Sequence, residues 1–203
     1  FNKSINKVKS KGIFKSVNSE VINSKSKNNT KIININVEEK ATGEIMAGAG
    51  TGTDGSTITA GIKEKNYLGK GITLDTNLTF SDDEIKGKFS VINPNFRNTD
   101  RSINAIIEST SSDFMTSSGF KTTRTGLKLG TGFEQYEDIF FNIDVSAYYE
   151  KLETSSLASS IKKKQEGDYF ENLISYAITL NKLDQNFQPT DGYLTKFSQT
   201  LPI

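Results

Sequence analysis

From Thr42 to the last residue the chain alternates apolar and polar side chains with a period of two, and that habit excludes most folds. Successive side chains of an extended strand point to opposite faces, so this patterning predicts a sheet with one greasy face and one polar face. Ile45, Ala47, Ala49 and Thr51 alternate with Glu44, Met46, Gly48 and Gly50. Ile58, Ala60 and Ile62 follow the turn signal Asp54-Gly55. Further sets are Ile72, Leu74, Leu78 and Phe80; Ile85, Phe89 and Val91; Ile103, Ala105 and Ile107; and Leu127, Leu129 and Phe133. Ile139, Phe141, Ile143, Val145 and Ala147 come next, then Ile174, Tyr176, Ile178 and Leu180, and a last strand starts near Tyr193. About nine strands of roughly ten residues are expected, the length that crosses a bilayer at a tilt.

The connections add a second regularity. The odd-numbered ones carry Asp54-Gly55, then residues 81–84, 109–119 and 150–168, and the last two read as long, polar and featureless. The even-numbered ones, at 66–71, 93–100, 134–138 and 181–192, are punctuated by Gly, Pro and aromatic residues. An up-and-down barrel puts alternate connections on opposite sides, and long loops confined to one side are the habit of outer-membrane barrels.

Composition narrows the field. Hydrophobic residues make up 34 %, against about 45–50 % in soluble domains, so a soluble core would be thin. A barrel in lipid needs one apolar face per strand and reads as polar on average. The chain has no cysteine and no histidine. Disulfides, Cys/His zinc sites and Ser-His-Asp triads are thereby excluded, and an oxidising compartment is allowed but not demanded. With 25 basic and 24 acidic residues, nothing suggests nucleic acid. No run of about 18 apolar residues exists, so no transmembrane helix is expected. A soluble β-sandwich also alternates. Strand length and the shortage of large hydrophobes favour the membrane barrel, and the sandwich remains the alternative.

Residues 1–40 follow another pattern. Phe1, Ile5 and Val8 share one helical face, lysines crowd the end, and Gly12 sits where a left-handed C-terminal cap is expected. Val17 and Val21 lie in a predicted strand, residues 23–30 in a loop, and Ile33, Ile35 and Val37 in a second strand. This is too little for a stable domain and reads as the back of one. The chain opens inside a helical pattern and stops at Ile203 as a strand begins, so both ends are expected to be truncations.

Five motifs then occur in order. Val37-Glu38-Glu39-Lys40-Ala41-Thr42-Gly43 resembles the tether between the last POTRA domain and the barrel in the BamA family of outer-membrane barrel-assembly factors. Asn66-Tyr67-Leu68-Gly69-Lys70-Gly71 is similar to that family's aromatic-Leu-Gly-basic-Gly turn. Asn93-Pro94-Asn95-Phe96 is similar to its Asn/Glu-Pro-Tyr-Phe turn, with Asn95 where an aromatic is usual. Residues 181–192, with Asp184, Pro189, Thr190 and Gly192, resemble the turn before its ninth strand. Gly12 to Val17 resembles the helix-to-strand corner of the last POTRA domain.

The resemblance implies a mainly β fold: part of an antiparallel up-and-down transmembrane β-barrel over 41–203, open as a fragment, preceded by part of an α/β POTRA domain over 1–40. It implies assembly and insertion of β-barrel proteins into the bacterial outer membrane, without catalysis or cofactor. The partners it implies are unfolded outer-membrane proteins, accessory assembly lipoproteins, and outer-membrane lipid and lipopolysaccharide, with the N-terminal part in the periplasm. A TamA-type translocation barrel and a passive porin-like channel are the alternatives.

Several residues carry competing readings. Gly48, Gly50 and Gly52 mimic a phosphate-binding loop, but a turn and a strand follow where a helix is needed. The resemblance makes their strand one side of a lateral gate, with Gly43, Ile45, Ala47, Gly48, Ala49, Gly50 and Thr51 pairing an incoming strand. The plain alternative is that glycines make room inside a small barrel, and both stay open. Asp82, Asp83 and Glu84 lack the spaced pattern of a calcium loop and read as a solvated turn. Lys162, Lys163 and Lys164 read as a solvated charge run or a contact for lipopolysaccharide phosphates. Tyr148, Tyr149, Tyr169 and Tyr176 fit an interfacial girdle or plain strand propensity, and Glu38 and Glu39 read as a charged linker or as partner contacts.

Overall fold

The alternation after Thr42 resolves into one continuous antiparallel sheet. The computed structural model describes residues 5, 6, 8, 9, 11–24, 30–52, 55–184 and 189–203, and the chain divides into two units, Phe1–Gly43 and Glu44–Ile203. Phe1, the middle of the expected loop at 23–30, Thr53, Asp54 and residues 185–188 lie outside the described residues.

In the first unit Ile5, Asn6, Val8 and Lys9 are helical, and Gly12 turns the chain with φ +67°. Its N–H donates to the Lys9 carbonyl at 3.2 Å, the expected left-handed end of a helix. Strand β1 (Phe14–Asn23) pairs antiparallel with β2 (Lys31–Glu39), placing Val17 opposite Val37, Ser19 opposite Ile35 and Val21 opposite Ile33. Ile5 and Ile13 are buried. Glu38 and Glu39 belong to β2 and not to a linker, and Lys15 holds the Glu38 carboxylate at 2.9 Å.

The second unit contains β3 (Gly43–Gly52), β4 (Gly55–Tyr67), β5 (Ile72–Ser81), β6 (Glu84–Asn93), β7 (Arg101–Phe114), β8 (Phe120–Tyr136), β9 (Ile139–Thr154), β10 (Gly167–Asn181) and β11 (Leu194–Pro202). Each strand pairs with its sequence neighbours, in the order β3 to β11, so the sheet is an up-and-down meander with β3 and β11 at its edges. The register sets the faces. Val91, Ala105, Leu129, Val145, Ile174 and Leu201 form one row across six strands. Phe89, Ile107, Leu127 and Ala147 form the next.

Among the described residues of this unit nothing covers this apolar face. Leu129 is 53 % exposed, Ile107 53 % and Ile62 60 %, and the only buried apolar side chains among the described residues of this unit are Leu152 and Ala158. A sandwich hides such rows between two sheets, and here they stand open, as a lipid-facing surface requires.

The opposite face is polar and cross-linked. Lys63 and Asp75 approach to 3.6 Å, Lys128 and Asp144 to 3.7 Å, and the Asn104 amide donates to Asp144 at 3.3 Å. Glycines on this face make room for neighbouring side chains. A Cβ on Gly126 would stand 2.2 Å from the Tyr148 ring, and one on Gly130 would meet Asp144 and Asn104.

Two expectations need correction. Residues 109–114 and 150–154 are strand, not loop: in the first, hydroxyl pairs continue the ladder, Ser109 with Thr125 at 2.7 Å and Ser111 with Thr123 at 3.3 Å, and in the second Glu150 pairs opposite Arg124 and Tyr169. Nor is the connection after β9 featureless. It carries α1 (Ser160–Lys164), whose N-cap Ser159 accepts from the Lys162 N–H. The asymmetry expected in loop length is therefore carried by β7 to β10, of 14 to 17 residues against 10 in β5 and β6.

Leu129 sits at the centre of the greasy face between Ala105 and Val145. Leu129→Arg in the full-length parent should lower folding stability in lipid vesicles by about 2–4 kcal/mol, the penalty for a cation at mid-bilayer. Denaturant titration of the refolded protein measures it, and an unchanged midpoint would contradict the lipid-facing assignment.

Candidate strand edge and turn sites

Among the described residues strand β3 pairs with β4 and stands at one edge of the sheet, with β11 at the other. All ten of its residues are exposed, including Gly43, Ala47, Gly48, Ala49, Gly50 and Thr51, and Ile45 is 84 % exposed. The sequence accounts for this. Apart from Ile45 the apolar side offers only glycine, alanine and threonine, and the polar side offers glycine at three successive positions. Gly adds backbone entropy to the unfolded chain and contributes no packing. The open question about these glycines receives a partial answer: a Cβ on Gly48 would approach Thr59 Oγ1 at 3.0 Å, but at Gly50 and Gly52 it would meet nothing within 4 Å. Room for a neighbour explains Gly48 and leaves Gly50 and Gly52 unexplained. What the edge presents chemically is a row of backbone N–H and C=O groups, the template for another strand.

The motif turns gather at the end of the sheet where β3 begins, as alternate connections of a meander must. In the first, Leu68 (φ +56°) and Gly69 (φ +69°) form a tight hairpin turn whose twist matches that of the flanking strands. Asn66 closes it, since its carbonyl accepts from the Gly69 N–H at 2.9 Å and its side-chain oxygen from the Gly71 N–H at 2.8 Å. In the second, Pro94 and Phe96 flank Asn95, whose N–H donates to Asn93 Oδ1 at 3.1 Å and whose amide donates to the Thr99 carbonyl at 3.3 Å. Asn95 thus replaces the packing of the usual aromatic with hydrogen bonds. Arg97 stacks on the Phe96 ring at 5.3 Å.

The third turn is fastened by Asp184, whose carboxylate accepts from the Thr190 N–H at 3.1 Å and the Thr190 hydroxyl at 2.6 Å. Pro189 is exposed, and Gly192 takes φ +97° with its Cα against the Lys182 carbonyl, which a Cβ would approach to 2.1 Å. Lys182 in turn reaches Asp138 of the β8–β9 turn at 2.8 Å, and that hydrogen bond holds its ammonium above the ordinary lysine range.

Other candidates are redistributed. Tyr149 stands on the apolar face opposite Phe170, but its neighbour Tyr148 necessarily points the other way. Tyr148 donates to Glu108 at 2.8 Å and carries Arg124 over its ring at 3.9 Å, while Arg124 also pairs with Glu171 at 2.6 Å. Tyr169 braces α1 by donating to the Gln165 carbonyl at 2.6 Å. Of the four, Tyr149 and Tyr176 remain on the apolar face, and Tyr176 donates to Gln199 there. Lys162 lies over the Phe120 ring at 4.7 Å and Lys163 donates to the Ser156 carbonyl at 2.8 Å, so two of the three loop lysines are turned onto the protein. Asp82 accepts from the Ser56 N–H at 3.2 Å, and Glu84 pairs with Lys86 at 2.5 Å. The Arg124 network was missed in the sequence, although an arginine at a polar-face position amid threonines was its signal.

Asp184→Ala removes two hydrogen bonds that hold the third turn. It should destabilise the full-length parent by about 1 kcal/mol, discounted for exposure, with Asp184→Asn intermediate. Thermal unfolding followed by gel mobility reads both.

Comparison with known proteins agrees with this geometry. The model of the Omp85 superfamily domain matches residues 66–203. The BamA protein of Haemophilus ducreyi, crystallised without POTRA domains 1–3, superposes with a TM-score of 0.72 at 21 % identity. The match covers 100 % of this chain and 42 % of that one, so the chain spans less than half of the solved relative. The open nine-stranded meander matches the fold of that relative, and the chain belongs to the Omp85 superfamily.

Proposed function

We propose that the parent of this chain assembles β-barrel proteins into the bacterial outer membrane, using the β3 edge as one side of a lateral gate. The observation that supports the proposal is the make-up of that strand: glycine at three successive polar-face positions, of which Gly50 and Gly52 would bring a Cβ within 4 Å of nothing, against small residues on the other side. Unpaired peptide groups are costly in lipid because no water satisfies them. A nascent barrel strand that pairs with β3 exchanges that penalty for a ladder, and its later strands add in turn. No reaction, nucleotide or cofactor enters. Specificity lies in backbone groups, so side chains from Gly43 to Thr51 are free to vary except in bulk and in proline.

Under the same proposal residues 1–40 are the end of a POTRA domain in the periplasm. The helical start, the turn at Gly12 and the β1–β2 pair support this, as does a match that extends over the whole chain. That domain would deliver unfolded outer-membrane proteins and bind accessory lipoproteins, while the apolar face meets outer-membrane lipid and lipopolysaccharide. The motif turns would then lie on the periplasmic side.

Proline lacks an N–H and fixes φ. Ala47→Pro or Ala49→Pro in the full-length parent should deplete other barrel proteins from the outer membrane while the parent itself still inserts. Quantitative immunoblots of outer-membrane fractions test this, and normal barrel-protein levels in both mutants would refute the gate.

A further inference from the structure

Side chains on the apolar face do not follow the rows of the sheet. Ile58, Phe80 and Ile85 share one row on β4, β5 and β6 and are exposed, but that row continues as Ser111, Thr123 and Lys151 on β7, β8 and β9. Lower down the order is reversed. Phe133, Phe141, Ile178 and Phe197 share a row on β8 to β11, and on β7 that row holds Arg101. On β4 the apolar run has ended four residues higher, where Glu64 stands opposite Leu74. Both borders of the greasy band therefore descend across the sheet. From β4 to β10 the upper border falls by six positions, from the row of Ile58 to that of Ile174, and the lower by eight, from the row of Ile62 to that of Leu180.

A bilayer offers hydrocarbon at one level, so a slanted band means slanted strands. A descent of about seven residues at roughly 3.4 Å each, over six strand spacings of roughly 4.8 Å, corresponds to about 40°. That lies within the roughly 35–45° of membrane barrels. At this angle Ile139 to Ala147 of β9 rise about 21 Å along the membrane normal, near the roughly 25 Å of an apolar belt. We infer that the strands cross the bilayer at about 40° to its normal, and that the upper ends of β7, β8 and β9 turn this face to the headgroup layer, above the hydrocarbon. The chemistry at each border fits. Tyr149 and Phe170 lie opposite each other just above the upper border, where aromatic rings favour the interface. Above them the face carries hydroxyls and the ion pairs Lys121–Asp113 at 3.1 Å and Lys151–Glu153 at 2.8 Å. Glu64 and Arg101 mark the lower border at one depth, since four residues of register offset three strands of tilt. Thr123 thus lies about 12 Å farther out than Ile58, although the two share a row. The inference rests on the lipid-facing reading of this face and not on the gate.

Nitroxide labels on single cysteines of the full-length parent in lipid nanodiscs measure depth. Oxygen, which partitions into hydrocarbon, and a nickel chelate, which stays in water, relax them differently. Ile58→Cys and Thr123→Cys share a row, and the Thr123 label should be several-fold more accessible to nickel and less to oxygen. Ala60→Cys and Thr125→Cys form a second such pair. Ile62→Cys and Phe141→Cys lie six residues apart in register, about 20 Å along a strand, and should report the same depth. Equal accessibilities within the row pairs, with Ile62 and Phe141 at different depths, overturn the slanted pose. Leu129→Cys separates two kinds of failure. A label there beyond the reach of oxygen shows that protein covers the face, and removes the pose together with the lipid-facing assignment. A lipid-exposed Leu129 label with depths that follow the rows removes the pose alone.

Discussion

The interstrand backbone hydrogen bond is the constraint from which the remaining features follow. In lipid a peptide group has no partner but another peptide group, so a chain that enters with strands must pair every one of them. The larger unit does so by the shortest route, a meander in which each strand meets its sequence neighbour. That order needs no crossover and no second layer. It allows the apolar side chains to face outward without a second layer of protein among the described residues.

The two faces then solve different problems. On the apolar face, rows such as Val91, Ala105, Leu129, Val145 and Ile174 need only be greasy, because lipid adapts to their shape. On the polar face, side chains meet one another and must fit. Glycine on β8 makes that possible, with Gly126 beneath Tyr148, and Gly132 beneath Asn142 and Ser102. Glycine plays opposite parts in the same sheet. In β8 it admits a neighbour and the strand is held tightly, whereas at the end of β3 it admits nothing and the strand is held by its backbone.

How much of this the sequence disclosed depended on which force dominated locally. Where burial in lipid decided, alternation was sufficient: the strands containing Ile139 to Ala147 and Ile174 to Leu180 stand where period two puts them. The upper end of β7 reads as a loop because Ser109 to Ser112 carry no apolar signal, and hydroxyl pairs across the ladder left no trace in a single strand's pattern. Tyr148 and Tyr149 looked alike in composition, and only the pleat sends one to lipid and the other to Glu108. Asn66 and Asp184 were singled out by resemblance, and the reason they matter, side-chain oxygens closing turns, emerged from the coordinates. The Arg124 network draws on four strands, and no local reading assembles Glu108, Arg124, Tyr148 and Glu171.

The unequal ends of the sheet bear on how such a surface can diversify. At one end register is locked by specific side chains: Asn66, Asn93 and Asp184 each satisfy named backbone groups, and Gly192 fits where no other residue does. At the other end β7 and β8 run on as a hydroxyl ladder, in which serine and threonine are interchangeable and one more pair resembles the last. Length there is nearly a free variable. Sequence drift, insertion and selection by outside agents can therefore remodel that rim residue by residue, while the fixed turns keep every strand in step beneath it.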